Sequence, residues 1–70
     1  MTEIDINKIK MPGYRTTRYY RELFDGISKN GLLKPILINH RNYILDGAAR
    51  YSICLALGFT KIKVVYFSLR

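Results

Sequence analysis

The segment Ala48 to Leu57 constrains the fold more than any other part of this chain. It is almost entirely apolar, and Arg50 is its only charged residue. Its length and composition describe a helix that must be covered by other elements, and Gly58 supplies its C-terminal stop. A second helix is expected from Arg18 to Asn30, where Tyr20, Leu23, Phe24 and Ile27 recur at helical spacing and Asn30-Gly31 ends the pattern. Thr16 or Thr17 is the expected N-cap. Around these helices lie short strand-like runs. Ile4, Ile6 and Ile9 form a slipped alternation within Glu3 to Lys10, closed by Met11-Pro12-Gly13. Pro35 to Asn39 and Tyr43 to Leu45 flank His40-Arg41-Asn42 as a hairpin, and Lys61 to Phe67 alternates lysines with apolar residues. The order is β-α-β-β-α-β, an α+β fold with two helices on a small mixed sheet. Tyr20, Leu23, Phe24, Ile27, Ile36, Ile38, Leu45, Ile53 and Leu57 are the expected core.

With 70 residues, residues 1–70 are read as one domain. A chain this short buries only about 60% of its unfolded surface, so a homodimer or a place in a larger complex is expected to help it. Cys54 is the only cysteine and reads as core, with a reducing, cytoplasmic location as the expectation. Met1 to Asp5 carries acid where a signal peptide would be basic, and no apolar run approaches the roughly 18 residues of a membrane helix. No membrane association is expected. Twelve Lys and Arg against five Asp and Glu give a net charge of +7. Such a field favours polyanions, with nucleic acid or nucleotides foremost.

Arg50 falls in the first turn of its helix, where the helix dipole disfavours a cation. Free backbone N–H groups point outward there, so an anion among them would be held by both. Gly47 lets such an anion approach the backbone, while Ala48 and Ala49 keep the mouth open. Two plainer readings stand beside this one. Asp46 can serve as the N-cap, and Arg50 can pair with Asp46 or extend its head to solvent from the end of a buried helix.

Gly31-Leu32-Leu33-Lys34-Pro35-Ile36, a hairpin, Tyr43-Ile44-Leu45-Asp46-Gly47-Ala48-Ala49-Arg50-Tyr51 and then Leu57-Gly58 with a closing strand resemble the ParB N-terminal/sulfiredoxin superfamily from about Ile4 to Phe67. The resemblance implies a nucleotide-phosphate pocket at the start of the second helix, with Gly47 and Arg50 as phosphate-contacting positions. It implies a nucleoside di- or triphosphate as ligand: CTP as in partition ParB proteins, ATP as in sulfiredoxins, or ADP as in serine kinases of similar fold. Arg15 stands near the place of an arginine in the first ParB motif. Other positions depart from the pattern. Sulfiredoxins carry their catalytic cysteine where this chain has Ala48, so the nucleophile is missing. ParB proteins carry Glu-Arg where Ala48-Ala49 stands, and many relatives have His in place of Ala49. No helix-turn-helix segment lies within the 70 residues.

Arg15, Arg18 and Arg21 interleave with Tyr14, Tyr19 and Tyr20, a pattern suited to phosphate contacts with base stacking. Arg18/Glu22 and Arg21/Asp25 equally suit i,i+4 ion pairs on a helix. Lys61 and Lys63 are expected as edge-strand or solvent-face charges that also add to a nucleic-acid-facing surface. His40 stands alone, no metal site is expected, and no Ser-His-Asp set can be assembled. The leading expectation is a non-catalytic, ParB-like module that binds nucleotide phosphate, DNA or both in a process such as partition or DNA maintenance. A nucleotide-dependent enzyme such as a small-molecule kinase or a nuclease is the alternative, the kinase with Asp46 or Glu22 as its base. A protein-interaction subunit is the third.

Overall fold

In a computed structural model the placement of residues 2–11 and 19–67 is described. The expected Thr16 or Thr17 cap and the positions Arg15 and Arg18 lie outside these residues. Strand β1 (Thr2–Asp5) leads into a single 3-10 turn at Ile6–Lys8. Helix α1 (Tyr20–Asn30) follows, then β2 (Ile36–Ile38), β3 (Ile44–Asp46), helix α2 (Ala48–Ala56) and β4 (Lys61–Tyr66). The strands form one mixed sheet in the order β1-β4-β2-β3. β2 runs parallel to β4, and the β1–β4 and β2–β3 pairs are antiparallel. The expected β-α-β-β-α-β α+β architecture is therefore the one observed.

Register explains where the core lies. Ile36 pairs with Val64 and Ile4 with Ile62, so one face of the central strands is aliphatic. α2 closes over that face with Ile53 and Cys54, both fully buried, and α1 packs against α2 through Ile27. Tyr20, Leu23, Phe24 and Leu57 are partly buried around this cluster. The Tyr20 and Phe24 rings meet one turn apart, tilted by 35° with centroids 6.2 Å from each other. α2 ends in a Schellman arrangement. Gly58 takes φ +84°, its N–H donates to the Leu55 carbonyl, and the Phe59 N–H donates to the Cys54 carbonyl.

Three expectations are corrected. The N-terminal strand stops at Asp5 rather than continuing to Lys10, because the Asp5 carboxylate accepts from the Asn7 N–H at 2.8 Å and turns the chain. Ile6 and Ile9 are both buried by that turn, which accounts for the slipped alternation. Leu45 is 49% exposed. Leu37 and Ile38 stand opposite Asp46 and Ile44, so Leu45 is the extra residue of a β-bulge and has no partner across the strand. Lys61 and Lys63 lie on an interior strand, not on an edge.

Burial pushes the Cys54 thiol above its usual range by desolvating the thiolate. A raised folded-state value means that the neutral thiol's contribution to stability is complete at neutral pH and fades as alkaline pH ionises it. Cys54 should therefore react with a thiol reagent only at the rate of global unfolding, and reaction at the rate of a free thiol would contradict the packing. Ile53→Ala should cost about 2–5 kcal/mol in urea unfolding. Leu45→Ser should stay within about 0.5 kcal/mol.

Candidate functional site

A cleft of about 580 Å³ opens where the start of α2 faces α1 and the loop between α1 and β2. One wall is the Asp46 to Arg50 segment. Glu22, Leu23, Gly26 and Ile27 of α1 form the opposite wall, and Gly31 to Lys34 close the end. The five residues singled out from the sequence at the helix start thus share one cavity. Its size is that of ordinary small-molecule sites, which span about 300–1,000 Å³.

The backbone makes the polar end. Gly47 occupies the N-cap position with φ +100° and no side chain caps the helix. Of the plainer readings, Asp46 as N-cap is corrected, whereas its pairing with Arg50 is observed: the Asp46 side chain is 76% exposed and turned to Arg50. The first helical bond runs from the Tyr51 N–H to the Gly47 carbonyl at 2.9 Å. The N–H groups of Ala48, Ala49 and Arg50 therefore have no acceptor within the helix and face outward from its positive end.

Arg50 folds back over this end. Its side chain is 20% exposed, and Nη2 lies 3.7 Å from the Asp46 carboxylate. A Cβ placed on Gly47 would come within 2.9 Å of Ile36 Cδ1 and 3.2 Å of Arg50 Nη2. Glycine is thus required both by the left-handed backbone and by the side chains packed on it. An ion pair with so exposed a partner contributes about 0–1 kcal/mol. It orients the guanidinium without committing its remaining donors.

The rest of the cleft is asymmetric. Leu23, Ile27, Leu32 and Leu33 form an apolar wall, while Lys34 adds a second cation and Glu22 a second carboxylate. Lys34, Leu32 and Leu33 were not foreseen as part of the site. The signal for them was the turn-forming Gly31 to Pro35 block, which must pass beside the helix start to enter β2. Gly26, also unforeseen, presents no side chain to the cleft.

The remaining candidates are dispersed. Arg21 is exposed on α1. Lys63 is paired with Glu3 and Lys61 with Asp5 in the β1–β4 register, so each lysine stands opposite an acidic residue. Among the described residues no group of three or more His, Cys, Asp or Glu is placed to hold a metal ion, and no helix is long and apolar enough to cross a membrane.

No protein-family model matches the sequence, and no curated protein matches it. Solved structures do match the fold. The N-domain of a Pnob8-like ParB superposes with a TM-score of 0.86 at 18% identity, covering 99% of this chain and 30% of that one. The C-terminally truncated chromosome-partitioning protein ParB from Caulobacter crescentus matches in two complexes. With CTP-γ-S the TM-score is 0.78 at 19% identity, covering 99% of this chain and 44% of that one. With the centromeric parS site the values are 0.81 and 22%, covering 100% and 42%. Sulfiredoxin from Arabidopsis thaliana gives a TM-score of 0.78 at 25% identity, covering 97% of this chain and 84% of that one. The fold is ParB/sulfiredoxin-like, and this chain spans less than half the length of the ParB chains it matches.

Gly47→Ala should lower stability by about 1–3 kcal/mol in chemical denaturation, since it introduces both a left-handed alanine and a collision with Ile36. A change within about 0.3 kcal/mol would show that the turn adapts without cost.

Proposed function

We propose that this chain is a ParB-like polyanion-binding module that takes the phosphate groups of a nucleoside di- or triphosphate in the cleft and acts in a DNA-associated process such as partition or DNA maintenance. One observation carries the reading. Three unpaired helix N–H groups and the Arg50 guanidinium converge on one end of a cleft large enough for a nucleotide, with no capping side chain in the way. The apolar wall of Leu23, Ile27, Leu32 and Leu33 suits the sugar and base, and Lys34 adds charge for the outer phosphates. Arg15 is a further phosphate ligand in this reading, by its place in the sequence. The Caulobacter ParB held CTP-γ-S in its complex, which favours CTP as the first nucleotide to test, with ATP and ADP beside it.

The module is non-catalytic in this reading. Ala48 and Ala49 bring no nucleophile, acid or base to the helix start, so binding is left to backbone and Arg50. Glu22 favours one rival, a nucleotide-dependent kinase, because its carboxylate lines the same cleft. ADP release from ATP that is lost in Glu22→Gln would establish that rival.

Calorimetric titration with CTP, ATP and ADP tests the proposal. Wild type should bind at least one of them. Arg50→Ala should weaken that binding about 10- to 100-fold, the worth of charge-assisted hydrogen bonds of about 1.5–3 kcal/mol. Equal affinity of wild type and Arg50→Ala would remove Arg50 from the site.

A further inference from the structure

Beyond the cleft, the charge of the described residues is unevenly placed. All five of the chain's carboxylates lie in the described residues, and each is near a cation or on α1. Glu3 and Asp5 stand opposite Lys63 and Lys61, Asp46 pairs with Arg50, and Glu22 and Asp25 belong to α1. The far end of the β2–β3 hairpin carries none. There Lys10 forms an isolated parallel bridge with Tyr43 along the outer side of β3. Its N–H donates to the Asn42 carbonyl at 2.8 Å, and its own carbonyl accepts from the Ile44 N–H at 3.0 Å. The Lys10 Nζ lies over the Tyr43 ring, 5.5 Å from its centroid, and Tyr43 is 39% exposed.

His40 and Arg41 form the tip beside them, exposed at least in part, and Lys8 is exposed one residue beyond the buried Ile9. The tip is rigidly built. The Asn39 side-chain oxygen accepts from the N–H groups of both Arg41 and Tyr43, at 2.9 and 3.0 Å, and Asn42 takes φ +68°. The acids nearest along the chain are turned to other partners: Asp5 accepts from the Asn7 N–H, and Asp46 pairs with Arg50.

We infer that Lys8, Lys10, Arg41 and Tyr43 form a second anion-binding surface, which takes the phosphodiester backbone of a nucleic acid. Cations interleaved with a partly exposed aromatic ring and held on a fixed backbone, with the nearest carboxylates, Asp5 and Asp46, engaged elsewhere, are what a nucleic-acid strand requires. The surface is separate from the cleft, because Tyr43 precedes β3 while Asp46 ends it, and none of Lys8, Lys10, Arg41 and Tyr43 lines the cleft. It rests on the proposed function only in giving that module's nucleic-acid partner a place to bind. The lysines of β4 do not contribute, since acidic residues of β1 stand opposite them.

Fluorescence anisotropy with a labelled single strand and with the matching duplex, each in low and in moderate salt, decides it. Lys10→Gln combined with Arg41→Gln should weaken binding about tenfold at low salt and flatten the slope of log affinity against log salt by about 1.4–1.8. Lys61→Gln combined with Lys63→Gln removes the same charge and should have little effect. Lys8→Gln with Arg41→Gln repeats the test without disturbing the Lys10–Tyr43 contact, should the first pair unfold the protein. Loss of binding to either nucleic acid in the hairpin pair alone supports the surface, and the nucleic acid affected names its partner. Equal weakening by the hairpin and β4 pairs, or no binding by wild type at low salt, overturns it. The hairpin pair should bind nucleotide as wild type does, so failure of the cleft and failure of this surface register separately.

Discussion

Between Leu45 and Ala48 the chain passes from a bulged edge strand into a helix, and the passage turns on a glycine at φ +100° packed beneath an arginine and against Ile36. This contact sets the geometry of everything around it. Ile36 is fully buried in the central aliphatic face, so α2 is held at a fixed distance from β2. Gly47 leaves the first N–H groups of α2 uncapped, and Arg50 lies across them. A larger residue at position 47 would push α2 from the sheet and close the polar end of the cleft together. Stability and the shape of the cleft therefore share one constraint.

The electrostatics follow a similar division. A +7 chain of this size repels itself, and the structure mitigates this by setting acids opposite lysines across β1 and β4. Among the described residues, Lys34 and Arg50 stand at the cleft and Lys8, Lys10 and Arg41 about the hairpin tip. Both places have a backbone fixed by hydrogen bonds, at the tip with the help of the Asn39 side chain, so little further ordering of the backbone is needed to meet an anion.

Most of the fold was legible because each element carried its own punctuation. Asn30-Gly31, the hairpin turn and Gly58 ended the elements where expected, and the uncharged stretch after Arg50 could only be a covered helix. The exceptions were cases where a local side-chain bond or a register shift prevailed over periodicity. Asp5 capped a turn within the apolar run Ile4-Ile6-Ile9, and the bulge at Leu45 put an apolar residue into solvent. The strand order was not legible, because the crossover that sets β4 between β1 and β2 depends on long-range pairing. At the cleft, the Asp46 to Arg50 wall was visible as a cation in the wrong place for a helix dipole. Lys34 and Leu33 were not, since nothing in a loop's own sequence states which helix it will pass. The alternative of Asp46 as a cap did not hold because a left-handed Gly47 took that position.

The central claim is that an anion completes the start of α2. Two-dimensional amide NMR during titration with CTP, ATP and ADP tests it most directly, because the groups in question are amides. The account predicts that the N–H signals of Ala48, Ala49 and Arg50 move first and furthest with at least one nucleotide, and that inorganic phosphate moves the same signals more weakly. Shifts confined to other parts of the chain, or none at millimolar nucleotide, would contradict it.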